Sequence, residues 1–257
     1  MKSFYELRPE EVLASRERCG IVFIPVGPIE WHSYHLPFGT DAMIAEGICS
    51  LVAERTGGLY FPPLLLGTDK TRTEKELEAW GFDKNEKIFG MNFPALPLNS
   101  EYCTAEELTM AITRRLDFVK SNKFKAAFVV DVHGGDPDFP EFEQKELLKK
   151  ACKEFNSSSF KVEFADAFRF CTIKGDHIVG DHATLPETTF LLAFRPELID
   201  LSKIPEGELI AREMGMVTGS AVVNSKRNPR NSSKVLADEF RENIINNFVK
   251  YIKENYL

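Results

Sequence analysis

Five histidines occur in this 257-residue chain: His32, His35, His133, His177 and His182. Each follows an apolar run or sits beside a turn rich in glycine and aspartate. Glu30-Trp31-His32 places a carboxylate and an imidazole two residues apart. In extended backbone, residues at that spacing point the same way and can reach one point. Asp41 follows at the start of a predicted helix, and its two oxygens could bridge two cations. Carboxylate and imidazole together suit Zn, Mn or Fe. Alone, a Glu-x-His pair reads more simply as surface loop. That bland reading weakens because His133 stands in a second loop with the same placement, Asp131-Val132-His133-Gly134-Gly135-Asp136. The paired glycines allow a sharp turn and close approach of a ligand.

A third cluster runs Gly180-Asp181-His182-Ala183-Thr184-Leu185-Pro186-Glu187-Thr188-Thr189. The imidazole of His182 titrates near neutrality and could serve as general base or acid. Glu187 could be a ligand or a base. Helix capping explains Asp181, Thr184 and Glu187 without any chemistry, but it does not explain His182.

These loops need elements to hold them. A short helix over 11–19 leads into the apolar run 20–26, which is rich in branched residues and stops at Gly27-Pro28. That pattern predicts a buried strand. A helix over 41–55 should end at Gly57-Gly58. Residues 59–66 read as a strand broken by Pro62-Pro63. Thr104-Ala105-Glu106-Glu107 is a capping box that opens a helix to 121. Strand 125–131, helix 141–155, strand 160–166 and helix 187–194 follow, and a tail helix spans 237–254. Strands alternating with helices predict an α/β fold with a mostly parallel sheet covered on both faces. Open sheets of that kind bind ligands in loops at the carboxyl ends of their strands, which is where the histidines fall. Residues 67–100 show no clean period and read as a functional loop or lid. No linker divides the chain, so a single domain over 1–257 is expected.

The motifs resemble those of the creatininase (creatinine amidohydrolase) family. That family carries Gly-x-x-Glu-x-His-Gly-Pro-His-Leu-Pro with an aspartate soon after, and the chain has Gly27 to Pro37 followed by Asp41. The family's Asn-x-His-Gly-Gly-Asn is matched by Asp131 to Asp136. Its Asp-His-Ala-Gly-x-x-Glu-Thr-Ser is matched by Asp181 to Thr189. Order and spacing agree over residues 20–195.

The resemblance implies a three-layer α/β/α sandwich with two divalent metal ions per chain. Glu30 and His133 would bind one ion, His32 the other, and Asp41 would bridge. Glu187 or, less favoured, Asp136 would complete the second site, and His182 would be the catalytic base or acid. Homohexamers are the family's habit. The usual reaction is cleavage of a C–N bond in a cyclic or linear amide. The alternatives are hydrolysis of a C–C bond in an oxidised inositol ring of the 3-dehydro-scyllo-inosose type, and a non-catalytic metal- or ligand-binding protein on the same scaffold.

The chain departs from the family pattern at Ser33 and Tyr34 (for Gly-Pro), at Asp131 and Asp136 (for the asparagines) and at Thr184 (for Gly). The expected ligands survive these changes and the pocket wall does not, so creatinine itself is not the expected substrate. Tyr34, Arg72, Trp80 and Asp136 are the candidate substrate-binding residues. Arg72 and the acids of the 67–100 segment could meet a polar ring, and Trp80 could stack on it.

The resemblance implies a small polar substrate as partner, and composition argues against the larger alternatives. Net charge is −7, from 32 basic and 39 acidic residues, and phosphate recognition needs a basic surface, so nucleic acid is not expected. No apolar stretch approaches the roughly 18 residues of a membrane span. Five cysteines without a Cys-x-x-Cys pair fit a reducing cytoplasm rather than a disulfide framework.

Overall fold

The structure is a computed structural model and describes residues 2–134, 143–174 and 181–257. Its sheet is made by short runs of branched, aromatic and small residues: β1 Ile21–Val26, β2 Leu59–Tyr60, β3 Ala126–Asp131 and β4 Lys161–Asp166. The strand order is β2-β1-β3-β4, and every pairing is parallel. Successive side chains leave opposite faces of a strand, so one sequence feeds two cores. Ile21, Phe23, Ala126, Phe128 and Val130 enter one core, with α2 (Thr40–Thr56), α6 (Leu185–Phe194) and α8 (Lys234–Asn255). Val22, Ile24, Val26, Ala127 and Val129 enter the other, with α4 (Ala105–Ser121) and α5 (Glu143–Phe155). In α4 the buried residues Leu108, Ile112, Leu116 and Val119 lie on one helical stripe. The fold is therefore the expected three-layer α/β/α sandwich.

The helix ends follow their local chemistry. Thr104 and Glu107 form the capping box predicted for α4, and Gly57 ends α2 in the left-handed conformation at φ 80°. The tail helix starts earlier than its periodicity suggested, because the Ser233 hydroxyl accepts the Leu236 N–H at 3.2 Å and caps it there. The broken strand at 59–66 is shorter than expected. Pro62-Pro63 supply no N–H groups, so only Leu59–Tyr60 pairs as β2, and the chain returns to β1 at the single bridge Val26↔Leu64.

The segment that lacked a readable period, residues 67–100, is ordered. It carries a short helix, α3 (Glu74–Ala79), capped by Thr73 and Glu76, and it builds a hydrophobic cluster with Trp31 and Val217. The first helix, α1, is Pro9–Arg18. Residues 201–223 form a second small cluster around Met214 and Met216, with α7 at Ala211–Met214.

The connections β1-α2-β2 and β3-α5-β4 leave in opposite directions from neighbouring strands. The loops after β1 and β3 therefore part above the sheet, at the switch point where open α/β sheets have their crevice. Glu30, His32 and His133 stand on those two loops.

Candidate metal centre

The loop after β1 is pinned along its length. Glu30 N–H donates to the Phe38 carbonyl at 2.8 Å, Trp31 N–H to Ser100 Oγ at 2.9 Å, and the Trp31 indole to the Met214 carbonyl at 3.0 Å. These bonds hold Glu30 and His32 pointing inward, each 1% exposed. Asp41, in the first turn of α2, is brought against this loop by Gly27. A Cβ at Gly27 would lie 2.6 Å from the Ala42 nitrogen and 3.1 Å from the Asp41 carbonyl carbon. Only a residue without a side chain lets the helix start so close.

On the neighbouring loop, Asp131 accepts the His133 N–H at 3.0 Å and the Gln144 carboxamide at 3.1 Å. His182 is set by a two-bond bridge to Val217, at 2.9 and 3.0 Å. Glu187 turns back from the first turn of α6 and accepts the Ala183 N–H at 2.6 Å.

The side chains converge. His32 Nε2 lies 3.5 Å from Asp41 Oδ1, 3.6 Å from Glu187 Oε2 and 4.0 Å from Glu30 Oε2. His133 Nδ1 lies 3.0 Å from Asp41 Oδ2 and 3.3 Å from Glu30 Oε2. Asp41 thus turns one oxygen toward each imidazole. His182 Nδ1 stands 3.7 Å from Glu30 Oε2 and 3.9 Å from Glu187 Oε2. Two ring tautomers follow from the partners. A carbonyl can only accept, so His32 Nδ1 donates to the Glu30 carbonyl at 3.0 Å and leaves Nε2 facing the carboxylates. His182 Nε2 donates to the Trp31 carbonyl at 2.6 Å and leaves Nδ1 facing the site.

The electrostatics are those of a cation site. Burial alone pushes the Glu30 carboxyl up, but the His133 and His182 rings outweigh it and hold Glu30 down, at about 2. Burial opposes charge on His32 too, yet Asp41 and Glu187 raise it to about 10. His133 is raised against its burial by Glu30 and Asp41, while Asp41 is lowered against its burial by His32 and His133. Burial raises Glu187 to about 8 and Asp131 to about 6, and lowers His182 to about 4. A metal ion competes with protons for such ligands.

The donor set fits metal on an observation independent of charge. Glu30 Oε2, His32 Nε2 and Asp41 Oδ1 are buried, face one another, and complete no hydrogen bond of good geometry. Buried polar atoms are almost always satisfied, so three such atoms facing one another fit a cation taken up from outside the chain. Three overlapping groups have ligand atoms within 4.8 Å of one another: Glu30, Asp69 and His133; His32, Asp41 and Glu187; and Glu30, His32 and His182.

Two members were not foreseen. Asp69, at 5% exposure, joins Glu30 and His133. Tyr102 donates from its hydroxyl to Glu30 Oε1 at 2.5 Å. Neither belongs to a motif, because both arrive through the fold of the 67–100 segment and the strand-like return at Glu101↔Ile29.

Other expected residues are not members of these ligand groups. Trp80 is 2% exposed and packs among Trp31, Leu77, Met91 and Phe93, so it offers no face to a substrate ring and none to a subunit contact. Arg72 is also committed, with Nη2 on Asp69 at 2.6 Å and Nε on the Gly90 carbonyl at 3.0 Å. Tyr34 is exposed at 46% and stands edge-on to Trp31. His35 is a buried core histidine bonded to Thr188 at 2.9 Å. Asp136 and His177 lie outside the described residues.

The five cysteines are unpaired, and no helix among the described residues is long and apolar enough to cross a membrane.

Comparison with known proteins gives one answer. Residues 5–83 match the Creatininase family model, described as creatinine amidohydrolase. A curated relative, the creatinine amidohydrolase of Pseudomonas putida, is 23% identical over 204 residues, covering 72% of this chain and 68% of its own. A crystal structure of creatinine amidohydrolase (creatininase) superposes with a TM-score of 0.71 at 19% identity, over 100% of this chain and 99% of its own. A structure titled "Creatininase Mn" gives 0.70 at 18%, over 99% of each. A mutant creatininase of the Zn–Zn type gives 0.68 at 19%, over 100% and 99%. The chain is thus similar to the creatininase family in sequence over residues 5–83 and shares the fold of creatininase structures from end to end.

Proposed function

We propose that the chain is a metal-dependent hydrolase of the amidohydrolase type, working as one domain over residues 1–257. The converging loops would hold two divalent ions, Zn, Mn or Fe. Glu30 and His133 would hold one, His32 and Glu187 would hold the other, and Asp41, with one oxygen toward each imidazole, would serve both. The observation that carries this reading is the set of buried, unsatisfied atoms Glu30 Oε2, His32 Nε2 and Asp41 Oδ1. The manganese and zinc–zinc creatininases that share its fold support it.

Such ions polarise a carbonyl and make water acidic enough to attack near neutral pH. The chain supplies the rest. His182, anchored through Nε2 to the Trp31 carbonyl, takes up a proton at Nδ1 and delivers it to the leaving nitrogen. Its ring is kept neutral beforehand by burial, so it is ready to accept. Glu187 stands beside it and shares the proton traffic. The Trp31 and Ser100 bonds fix the loop so that the distances do not drift during turnover. Tyr34, exposed on the same loop, is the side chain we assign to substrate contact.

The bond cleaved is the C–N bond of a small cyclic or linear amide. The inositol alternative leaned on Arg72 to bind ring hydroxyls, and Arg72 is engaged by Asp69 and Gly90. A pure binding protein would have no use for a proton acceptor placed like His182. Assembly as a homohexamer and residence in the cytoplasm complete the reading.

The test is a hydrolysis screen over cyclic and linear amides, run on protein stripped by chelation and on the same protein after reconstitution. Metal-restored amide hydrolysis is expected. Turnover that is equal in both preparations would contradict the proposal.

A further inference from the structure

We infer that Asp69 is a protein ligand on the Glu30–His133 side of the paired site, and that Arg72 is the residue that positions it. The inference rests on the paired-metal reading above and adds to its ligand set. Its ground is the placement of one buried carboxylate. The Asp69 side chain is 1% exposed, and an oxygen of it lies within 4.8 Å of ligand atoms of both Glu30 and His133. A carboxylate taken this far from water must be paired. Arg72 Nη2 donates to Oδ2 at 2.6 Å and the Lys70 N–H to Oδ1 at 2.7 Å. Each oxygen accepts one bond and keeps a further lone pair.

Arg72 is itself immobilised. Its Nε donates to the Gly90 carbonyl at 3.0 Å, Glu76 lies 3.8 Å from Nη1, and its guanidinium stands 5.3 Å from the Trp80 ring. The backbone of the segment is tied to the second loop as well, since Thr68 N–H donates to the Gln144 carboxamide at 2.8 Å and that carboxamide donates to Asp131. Residues 68–76 are therefore a rigid support aimed at the site. Ligating carboxylates are characteristically held by such outer partners.

The donor count then becomes unequal. Glu30, His133, Asp69 and one oxygen of Asp41 give four donors on one side, which is a closed set for an ion such as zinc. His32, Glu187 and the other Asp41 oxygen give three on the side nearer His182, which leaves a position open there. The fold thereby assigns the substrate to the His32 side and a holding role to the Glu30 side.

The experiment titrates metal-free, full-length protein with Mn²⁺ by calorimetry, with electron paramagnetic resonance on the same samples. The wild-type protein is expected to take up two equivalents and to show a spin-coupled signal. Asp69→Asn, which keeps the shape of the side chain, should weaken one equivalent by roughly 10–100-fold, leave the other unchanged, and turn the signal into that of isolated Mn²⁺. Arg72→Lys should weaken the same equivalent by about 10-fold, because a single ammonium cannot reproduce the guanidinium fork.

Two wild-type affinities retained in Asp69→Asn overturn the inference, and so does equal weakening of both equivalents, which marks a merely structural role. Should Asp69→Asn not fold, Arg72→Lys decides by the same criteria. A wild-type protein that takes up a single equivalent overturns the paired-metal reading before any substitution is made, so the two failures are told apart.

Discussion

Gly27→Ala is a one-carbon perturbation with a calculable effect on the centre. The new Cβ would sit 2.6 Å from the Ala42 nitrogen, 3.0 Å from Ala42 Cα and 3.1 Å from the Asp41 carbonyl carbon. All three are backbone atoms of the first turn of α2, so no side chain can swing aside. Comfortable separation is about 3.5 Å or more, and the turn must retreat by roughly 0.5–1 Å. Overpacking of this kind costs typically about 1–3 kcal/mol. Asp41 rides on that turn and would lose its bond to His133 Nδ1, 3.0 Å away. Turnover should fall by about 10²-fold, the usual penalty for a misplacement near 1 Å. Urea unfolding of the stripped protein reads the first effect, and calorimetric metal titration with amide turnover reads the second. A Gly27→Ala protein within about 0.5 kcal/mol of wild type, with full metal uptake and turnover, would refute the claim that this close approach positions Asp41.

Further expectations concern single groups. His182→Ala should keep its metal and lose about 10²–10⁴-fold in turnover, as expected for a general acid–base group; loss of metal instead would make His182 a ligand. Tyr102→Phe removes the 2.5 Å donor to Glu30 and should weaken metal binding by about 10-fold, as loss of an outer partner does; unchanged affinity would show that this hydroxyl is idle. His35 is lowered to about 3, chiefly by burial and then by His32, so its ring signals in an NMR titration should not move between pH 5 and 8. The sign of its stability effect follows. Between about 3 and the unfolded value near 6.5, the unfolded chain binds the proton and the native chain does not. Stability is therefore lost as pH falls through that window, by about 2 kcal/mol at pH 5. Urea titrations at pH 7 and pH 5, on wild type and His35→Gln, should show this difference in the wild type alone.

The parts of this protein that were legible in its sequence are those governed by local rules. Branched runs at 21–26 and 126–131 became central strands, and Thr104-x-x-Glu107 became the start of α4. Glu30, His32, Asp41, His133, His182 and Glu187 were singled out by type and spacing, and the fold brings their side chains together. The misreadings cluster in 67–100. Thr73-x-x-Glu76 carries the same capping signal as Thr104-x-x-Glu107, but the helix it opens is too short to show a period. Trp80 and Arg72 looked available because the segment around them shows no helical or strand period. Trp80 is covered by Trp31 and Val217 from distant segments together with Phe93, and Arg72 is tied to Asp69 and Gly90. Asp69 and Tyr102 were invisible for the same reason, since a lone acid or tyrosine gains meaning only when a tertiary contact sets it beside Glu30.

The central claim is a paired metal site at Glu30, His32, Asp41 and His133, and elemental analysis of the purified protein reconstituted in turn with Mn, Zn and Fe tests it most directly. Roughly two ions per chain are predicted, the number that a bridging carboxylate between two imidazoles calls for. Asp41→Ala should lose more metal than His32→Ala, because Asp41 turns an oxygen to each side. No metal bound after reconstitution with any of the three would contradict the account.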